Sequence, residues 1–421
     1  MDAGLYYNGI DSKGREFKPV TIRQSLQSKF AGAIDTEIGN HDTSRRGAHM
    51  DQQPAALAAH GRKDSAVHAR SAEDIDFKRL GGTIKTARLL ERLPFTDWRR
   101  LMAYLHAGIP KHLQSLPDGK FTLGVSAYGL DVSLPEINRS VLEIKKLIKN
   151  SGRAVRTVPN KSPELSSAQV LHNKLTHKGA WELILLADGR ETLVAQTLFV
   201  QDIEAYAGRD QARPARDAKV GMLPPKLAQI LINLAAGSSN SPARILDPFC
   251  GTGVVLQEAL LMGYSVIGTD IDERMAEYAR RNIRWLVERQ PSAVGSVSIE
   301  AGDATDYSWP RFTAVASETY LGRPLNSLPG EPVLNKIVAD TDTIISKFLR
   351  NIAPQLRSGQ KMCLALPAWR QPQGFIRLPL IAKLTDMGYN VLKFKHVRGE
   401  DLVYFRENQT VARQILVIEK V

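Results

Sequence analysis

Between Arg244 and Asn282 the hydrophobic positions change period repeatedly. A short apolar run, Arg244-Ile245-Leu246, is followed by a Gly-bearing turn, then by a stretch with apolar residues at Val255, Ala259 and Met262, then by a second apolar run ending at Asp270. Alternation of strand and helix periods predicts a β-α-β-α unit, which requires a parallel sheet with right-handed crossovers. Downstream the pattern predicts strands at Val297 to Glu300, Phe312 to Ala316, Met362 to Leu366, Val391 to Phe394 and Gln414 to Glu419, the last two flanking Arg398 to Ala412 as an antiparallel hairpin. Upstream, Leu80 to Lys85 is expected to introduce a helix. Phe121 to Ser126 reads as a strand, and Leu134 to Ile148 as a helix with Ile137, Val141, Ile144 and Ile148 on one face. An edge strand at Val155 to Val158, a helix at Ser166 to Leu175 and paired strands at Trp181 to Leu186 and Glu191 to Val200 complete a second α/β module. The fold class expected is α/β throughout.

Composition narrows the partners. The chain has 421 residues, 43% of them hydrophobic, enough for two or three domains with full cores. No apolar run approaches the ~20 residues that span a bilayer, and the N-terminus lacks a signal-peptide core, so no membrane and a cytoplasmic location are expected. Cys250 and Cys363 are the two cysteines, which excludes a disulfide framework and a zinc site. No metal is expected. A formal net charge of +12 favours a polyanionic partner, most simply nucleic acid. Lys145, Lys146, Lys149, Arg153 and Arg156 form either a phosphate-contacting face or a solvated helix face. The run Gly39 to Ala72 carries His41, His49, His60 and His68 among small polar residues and buries little apolar surface, so it reads as an insertion or tail. Gln201 to Lys226 is polar and Pro-bearing, a connector whose Arg209, Arg213 and Arg216 are candidates for guiding a nucleic acid backbone.

The turn Asp247-Pro248-Phe249-Cys250-Gly251-Thr252-Gly253 stands where ligands bind in open α/β sheets. A P-loop needs Lys and Ser/Thr after the last glycine, whereas Val254-Val255 follow here. A dinucleotide turn needs a third glycine where Leu256 stands, and Asp247 brings a negative charge towards phosphates. S-adenosyl-L-methionine (SAM) suits the turn better, since it has no phosphate and is cationic at sulfur and ammonium. Asp247 would face the cationic methionine end, Gly251 and Gly253 would permit close approach, and Asp270 would accept hydrogen bonds from the ribose diol. Asp303, in the turn Ala301-Gly302-Asp303-Ala304, would accept from the adenine amino group. Asn282 reads as a helix-end residue rather than a ligand.

Residues 245 to 322 resemble the class I, Rossmann-type methyltransferases, and DPFCGTG with GTDID is similar to the branch that methylates exocyclic amino groups of nucleic acid bases. The segments FKRLGGTIK, FTLGVSAYG, ELSSAQVLHNKL, GMLPPKLAQILINLA and LVYFRENQTVARQILVIEK resemble the tRNA guanosine-10 N2-methyltransferase family. The resemblance implies a THUMP-like RNA-binding domain over 77–207, a linker over 208–225 and a Rossmann-like methyltransferase domain over 226–421, after a poorly ordered region or insertion over 1–76. It implies RNA, and specifically tRNA, as partner. Its cofactor contacts fall on Asp247, Pro248, Phe249, Gly251, Thr252, Gly253, Asp270, Ile271, Asp303 and Ala304. Nothing in the sequence sets an oligomeric state.

The family's fourth motif, Asp/Asn-Pro-Pro-Tyr/Phe-Gly, departs here. It reads Glu318-Thr319-Tyr320-Leu321-Gly322 when aligned on acid and glycine, or Ser317-Glu318-Thr319-Tyr320 when aligned on the aromatic residue. Both prolines are missing, with the rigid turn they supply. Ser317, Glu318 and Tyr320 are the candidate catalytic residues. An acceptor at Glu318 would aim the amino lone pair at a sulfonium methyl, and Tyr320 would stack on a flipped base. Two other readings stay open: a DNA amino-methyltransferase, and an RNA-binding protein that keeps the cofactor without catalysis. Arg406 and Gln409 either reach the cleft or satisfy the terminal hairpin.

Overall fold

The computed structural model describes residues 77–421 apart from 115–118, 218–221, 237–242, 395–398, 400–401 and 407–408, together with four short strands nearer the N-terminus. The His-bearing run lies outside the described residues. The chain divides into two compact units, one containing Thr83–Glu204 and the other Arg79–Gly82 and Ala205–Val421.

The first unit is built on a seven-stranded sheet in the order Ala3–Leu5, Pro19–Arg23, Thr83–Leu93, Glu191–Val200, Ala180–Asp188, Phe121–Tyr128 and Val155–Thr157. The helix expected from Leu80 to Lys85 is absent. Thr83–Leu93 is instead an eleven-residue strand, paired antiparallel to Pro19–Arg23 on one side and to Glu191–Val200 on the other. The β-branched pair Thr83-Ile84 suits a pleated position, and two flanking strands satisfy its backbone as a helix would not. Leu134–Asn150 forms as expected, with Ser133 at its N-cap accepting from the Glu136 N–H. Its Ile137, Val141, Ile144 and Ile148 are all buried against the sheet. Trp98–Gln114, which the sequence reading did not anticipate, packs beside it, and the Trp98 indole N–H donates to Ser140 Oγ at 3.1 Å. Of the basic residues on this module, Arg153 donates to the Leu113 carbonyl and Arg156 to Asn173, while Lys146 and Lys149 are exposed.

A buried ion pair fastens the sheet. Lys85 Nζ lies 2.5 Å from Glu182 Oε1, which also accepts from Ser126 Oγ at 2.6 Å, and Glu182 Oε2 accepts from Thr197 Oγ1 at 2.6 Å. Lys85 donates again to the Leu165 carbonyl at 2.6 Å. With both carboxylate oxygens engaged, the desolvation of the pair is offset by hydrogen bonds.

The second unit has a nine-stranded sheet whose main path runs Val297–Ala301, Ser265–Asp270, Arg244–Asp247, Ala314–Glu318, Lys361–Gln371, Val411–Lys420 and Tyr389–Val391. The first five are parallel, and Val411–Lys420 is antiparallel to both its neighbours on this path. From Arg244–Asp247 the chain winds first towards Ser265–Asp270 and later, on the other side, towards Ala314–Glu318. A crevice therefore opens at the carboxyl end of Arg244–Asp247, the topological switch point where such sheets bind ligands. The expected antiparallel pairing with the terminal strand is present, but the strand expected at Val391 to Phe394 runs Tyr389–Val391, with Val391 opposite Ile418. The expected fourth strand is displaced by two residues: Phe312 is buried in the core, and the strand runs Ala314–Glu318, carrying Ser317 and Glu318 to the same edge.

The helix Val254–Leu261 is mostly apolar and almost wholly buried, its Gln257 and Glu258 included, and is covered by Pro225–Ala236 and Glu273–Arg289. Among the described residues no helix is long and apolar enough to cross a membrane, and no three His, Cys, Asp or Glu side chains gather as metal ligands.

Candidate active site

The crevice is framed by two acids ending adjacent parallel strands. Asp247 is buried, and its Oδ1 accepts from Ser317 Oγ at 2.6 Å and from the Phe249 N–H at 3.3 Å. Burial pushes its carboxyl up to about 7; the Ser317 and Phe249 hydrogen bonds oppose that shift, and the nearby Asp270 and Glu318 add to it. Asp270 closes the other side. Its Oδ2 accepts from the Gly251 N–H at 2.9 Å and its Oδ1 from the Asp272 N–H at 3.0 Å. Burial raises its carboxyl too, against the two backbone hydrogen bonds.

The glycines between them have different duties. Gly251 has φ 50° and nothing within 4 Å of where a Cβ would stand, so its backbone borders open space. Gly253 has φ 84°, and a Cβ there would lie 3.1 Å from Ala279 Cβ, so a glycine here lets the turn sit against the Glu273–Arg289 helix. Thr252 is buried, and its carbonyl accepts from Asn282 Nδ2 at 2.8 Å. Asn282 is not at a helix end. It sits inside Glu273–Arg289, fully buried, and also exchanges hydrogen bonds with the Ala215 N–H and carbonyl at 3.0 and 2.9 Å. One amide thus holds the glycine turn to the segment around Ala215.

The remaining expected contacts divide between wall and floor. Pro248 is buried and its carbonyl accepts from Thr269 Oγ1. Phe249 packs edge-on to Phe348, with ring centroids 5.1 Å apart, and so belongs partly to the core. Ile271, immediately after Asp270, is 74% exposed, an apolar side chain left in the open beside an acid. Asp303 uses Oδ1 to accept from the Thr305 N–H and hydroxyl, both at 2.9 Å, and Ala304 is buried behind it.

On the far side of Asp247 stands the altered fourth motif. Thr319 donates its N–H to the Ala365 carbonyl at 3.1 Å, and its hydroxyl reaches the same oxygen at 3.3 Å. A proline at 319 has no such N–H, so this sequence holds the segment by extending the parallel ladder instead of by ring rigidity. Gly322 turns the chain at φ 83°. Ser317 points its hydroxyl at Asp247 and Glu318 ends the strand, an arrangement that favours the acid-and-glycine alignment over the aromatic one. Glu318 Oε1 accepts from Arg413 Nε at 2.6 Å, and Oε2 meets no donor among the described residues. Burial raises its carboxyl, while Arg413 favours the ionised form. Arg413 is buried and donates from NH1 to Gln409 Oε1 at 3.1 Å. Tyr320 is 41% exposed, available to a flat partner.

No local signal in the sequence reveals Arg413 as the partner of Glu318, or Gln409 as the acceptor beside Arg413, because they lie on the antiparallel terminal strand and the loop before it. Two of the connector arginines are engaged by acids. Arg209 grips the buried Glu258 with Nε at 2.7 Å and NH2 at 3.2 Å, and Arg213 is buried beside Asp210; Arg216 is exposed.

Comparison with known proteins adds partial similarity in sequence and a wider one in fold. A DNA methylase family model matches residues 154–281. The tRNA (guanine(10)-N2)-dimethyltransferase of Methanothermobacter thermautotrophicus is 32% identical over 170 residues, 40% of this chain and 46% of that protein. Its namesake from Pyrococcus abyssi is 36% identical over 149 residues, 35% of this chain and 39% of that protein. The chain is similar to these tRNA guanine-N2 methyltransferases over part of its length. The matched stretch spans less than half the length of either. The fold extends further: TrmN from Thermus thermophilus, at 17% identity, superposes with a TM-score of 0.50 over 96% of this chain and 99% of its own.

Proposed function

We propose that this protein transfers a methyl group from S-adenosylmethionine to the N2 amino group of a guanine in tRNA, in the cytoplasm. The observation that carries the reading is the pair of acids, Asp247 and Asp270, about an open glycine turn at the switch point, with Glu318 ending the adjacent strand. The first unit acts in this reading as the THUMP-like RNA-binding domain.

The residues fit the cofactor. Asp247 would face its cationic end, the open side of Gly251 would take its close approach, and Asp270 has lone pairs left for the ribose diol after its two backbone bonds. Ile271 would cover one face of the adenine, with Asp303 and Ala304 along its edge. When bound, SAM supplies an electrophilic methyl on a positively charged sulfur. The chain's own residues then position the acceptor. Glu318 Oε2 accepts from the guanine amino group and draws the nitrogen lone pair out of conjugation, Arg413 holds the carboxylate still, and Tyr320 supports the flipped base. The gain is orientation and electrostatics, with no covalent intermediate.

The DNA methylase match favours a second reading, a DNA amino-methyltransferase. Labelled methyl transfer to unmodified tRNA and to duplex DNA, followed by nucleoside mass spectrometry, separates them. The proposal expects N2-methylated guanosine from tRNA; equal transfer to DNA would remove the RNA preference. Cofactor binding by calorimetry without any turnover would support the non-catalytic reading.

A further inference from the structure

A groove of about 590 Å³ lies in the second unit, at the end of the Lys361–Gln371 strand, away from the Asp247–Asp270 crevice. Its walls include Arg370, Phe375, Phe405, Gln371, Gln409 and Thr410, and among the described residues no acidic side chain lines it. Phe375 and Phe405 stand with ring centroids 5.5 Å apart at 56°, and the Arg370 guanidinium lies 4.9 Å from the Phe405 centroid. The wall is braced by the Arg370 N–H donating to the Thr410 carbonyl at 2.9 Å. Two rings and a guanidinium about one groove, with amide and hydroxyl groups on its rim, match what an unpaired nucleotide offers: a flat π-face, hydrogen-bonding edges and a phosphate.

We infer that this groove holds an unpaired nucleotide of the RNA substrate flanking the methylated guanine. The inference rests on the proposed tRNA activity and specifies how the same site takes its substrate. Its position follows from register. Glu318 pairs with Ala365, and Arg370 lies five residues further along the same strand, roughly 16 Å past the acid at ~3.3 Å per residue. That is too far for the base that Glu318 contacts, and within reach of a neighbour in the same strand. Gln409 joins the two places, since it lines the groove and accepts from Arg413, whose Nε holds Glu318. The net charge of +12 suits a polyanionic occupant.

The test uses the full chain and a short single-stranded oligoribonucleotide carrying one 2-aminopurine, whose fluorescence is quenched on stacking. Wild-type protein is expected to quench it. Phe405→Leu and Phe375→Leu should weaken binding roughly 5- to 150-fold, the range for losing one base–aromatic stack. Arg370→Gln should flatten the slope of log K against log salt by about 0.7, one phosphate contact on a single strand. Circular dichroism and thermal midpoints establish that each variant is folded. Absence of quenching by wild type, or folded variants that bind as wild type does, would overturn the inference, and equal quenching of the deoxy version of the probe would overturn its RNA assignment. Methyl transfer to tRNA is scored separately. Active wild-type enzyme with variant-indifferent binding sinks the groove alone, whereas variant-sensitive quenching without transfer supports the groove and sinks the activity.

Discussion

Each unit of this protein buries an acid against a base at the heart of its sheet, and the two acids differ in what remains of their hydrogen-bonding capacity. Glu182 in the first unit is completely buried and spends both oxygens, on Lys85, Ser126 and Thr197. Glu318 in the second is 17% exposed, commits Oε1 to Arg413 and leaves Oε2 at the carboxyl edge of a parallel sheet. A saturated acid in a core has nothing left to offer a ligand and acts as a fastener. An acid held from one side at a ligand-binding edge is positioned for chemistry. The difference lies in the neighbours, not in the residue type.

Removing the saturated acid breaks the comparison most severely. Glu182→Ala strands the Lys85 ammonium in the core and is expected to cost about 3–5 kcal/mol of stability, measured by urea unfolding; a loss below about 1 kcal/mol would contradict the fastener role. Glu318→Gln keeps the shape of its side chain but loses the charge beside the buried Arg413, so kcat for methyl transfer should fall about 10²- to 10³-fold, with some loss of stability read separately by urea unfolding. Less than a tenfold fall would take Glu318 out of the mechanism. Asn282→Ala sharpens the contrast from the cofactor side. It leaves the Thr252 carbonyl and both Ala215 backbone groups unpaired, which should cost about 1–3 kcal/mol in thermal unfolding and weaken SAM binding through a loosened glycine turn. A variant with unchanged cofactor affinity would confine Asn282 to stability.

The smallest effect is one of pH. Asp247 is raised in the folded protein to about 7, above the ordinary carboxylate range, so the folded state holds its proton more tightly than the unfolded chain does. Stability of the cofactor-free protein should therefore be greatest at acidic pH and decline as pH rises through about 7. A cation bound beside Asp247 prefers the ionised form, so affinity for SAM should climb by up to about tenfold per pH unit below that point and then level off. Calorimetry across this window, with Asp247→Asn as control, checks the sign. A pH dependence that survives in Asp247→Asn belongs to another group.

The glycine turn was legible because its parts are contiguous: acid, turn glycines and second acid fall within one β-α-β stretch, and charge alone separates the possible ligands. The first unit was legible where a period was long and clean, as over Leu134–Asn150, and misread at Thr83–Leu93, where a strand owes its conformation to two distant partners, Pro19–Arg23 and Glu191–Val200. Of the connector arginines, Arg209 is tied to a buried acid that the sequence did not reveal, because a charged side chain in a polar segment gives no sign of the Glu258 that awaits it.

Taken by itself, the amino-acid order determined the α/β character, the parallel β-α-β core, the acid-glycine-acid edge and the departure of the fourth motif from its family pattern, all properties of short windows governed by backbone stereochemistry and side-chain charge. Tertiary structure alone decided that Ser317 serves Asp247, that Thr319 replaces proline stiffness with a ladder hydrogen bond, that Asn282 clamps the turn, and that Arg413 holds Glu318. Each of those depends on sheet register and helix packing between distant segments, and a one-residue slip in a strand would have sent the same side chain to the opposite face.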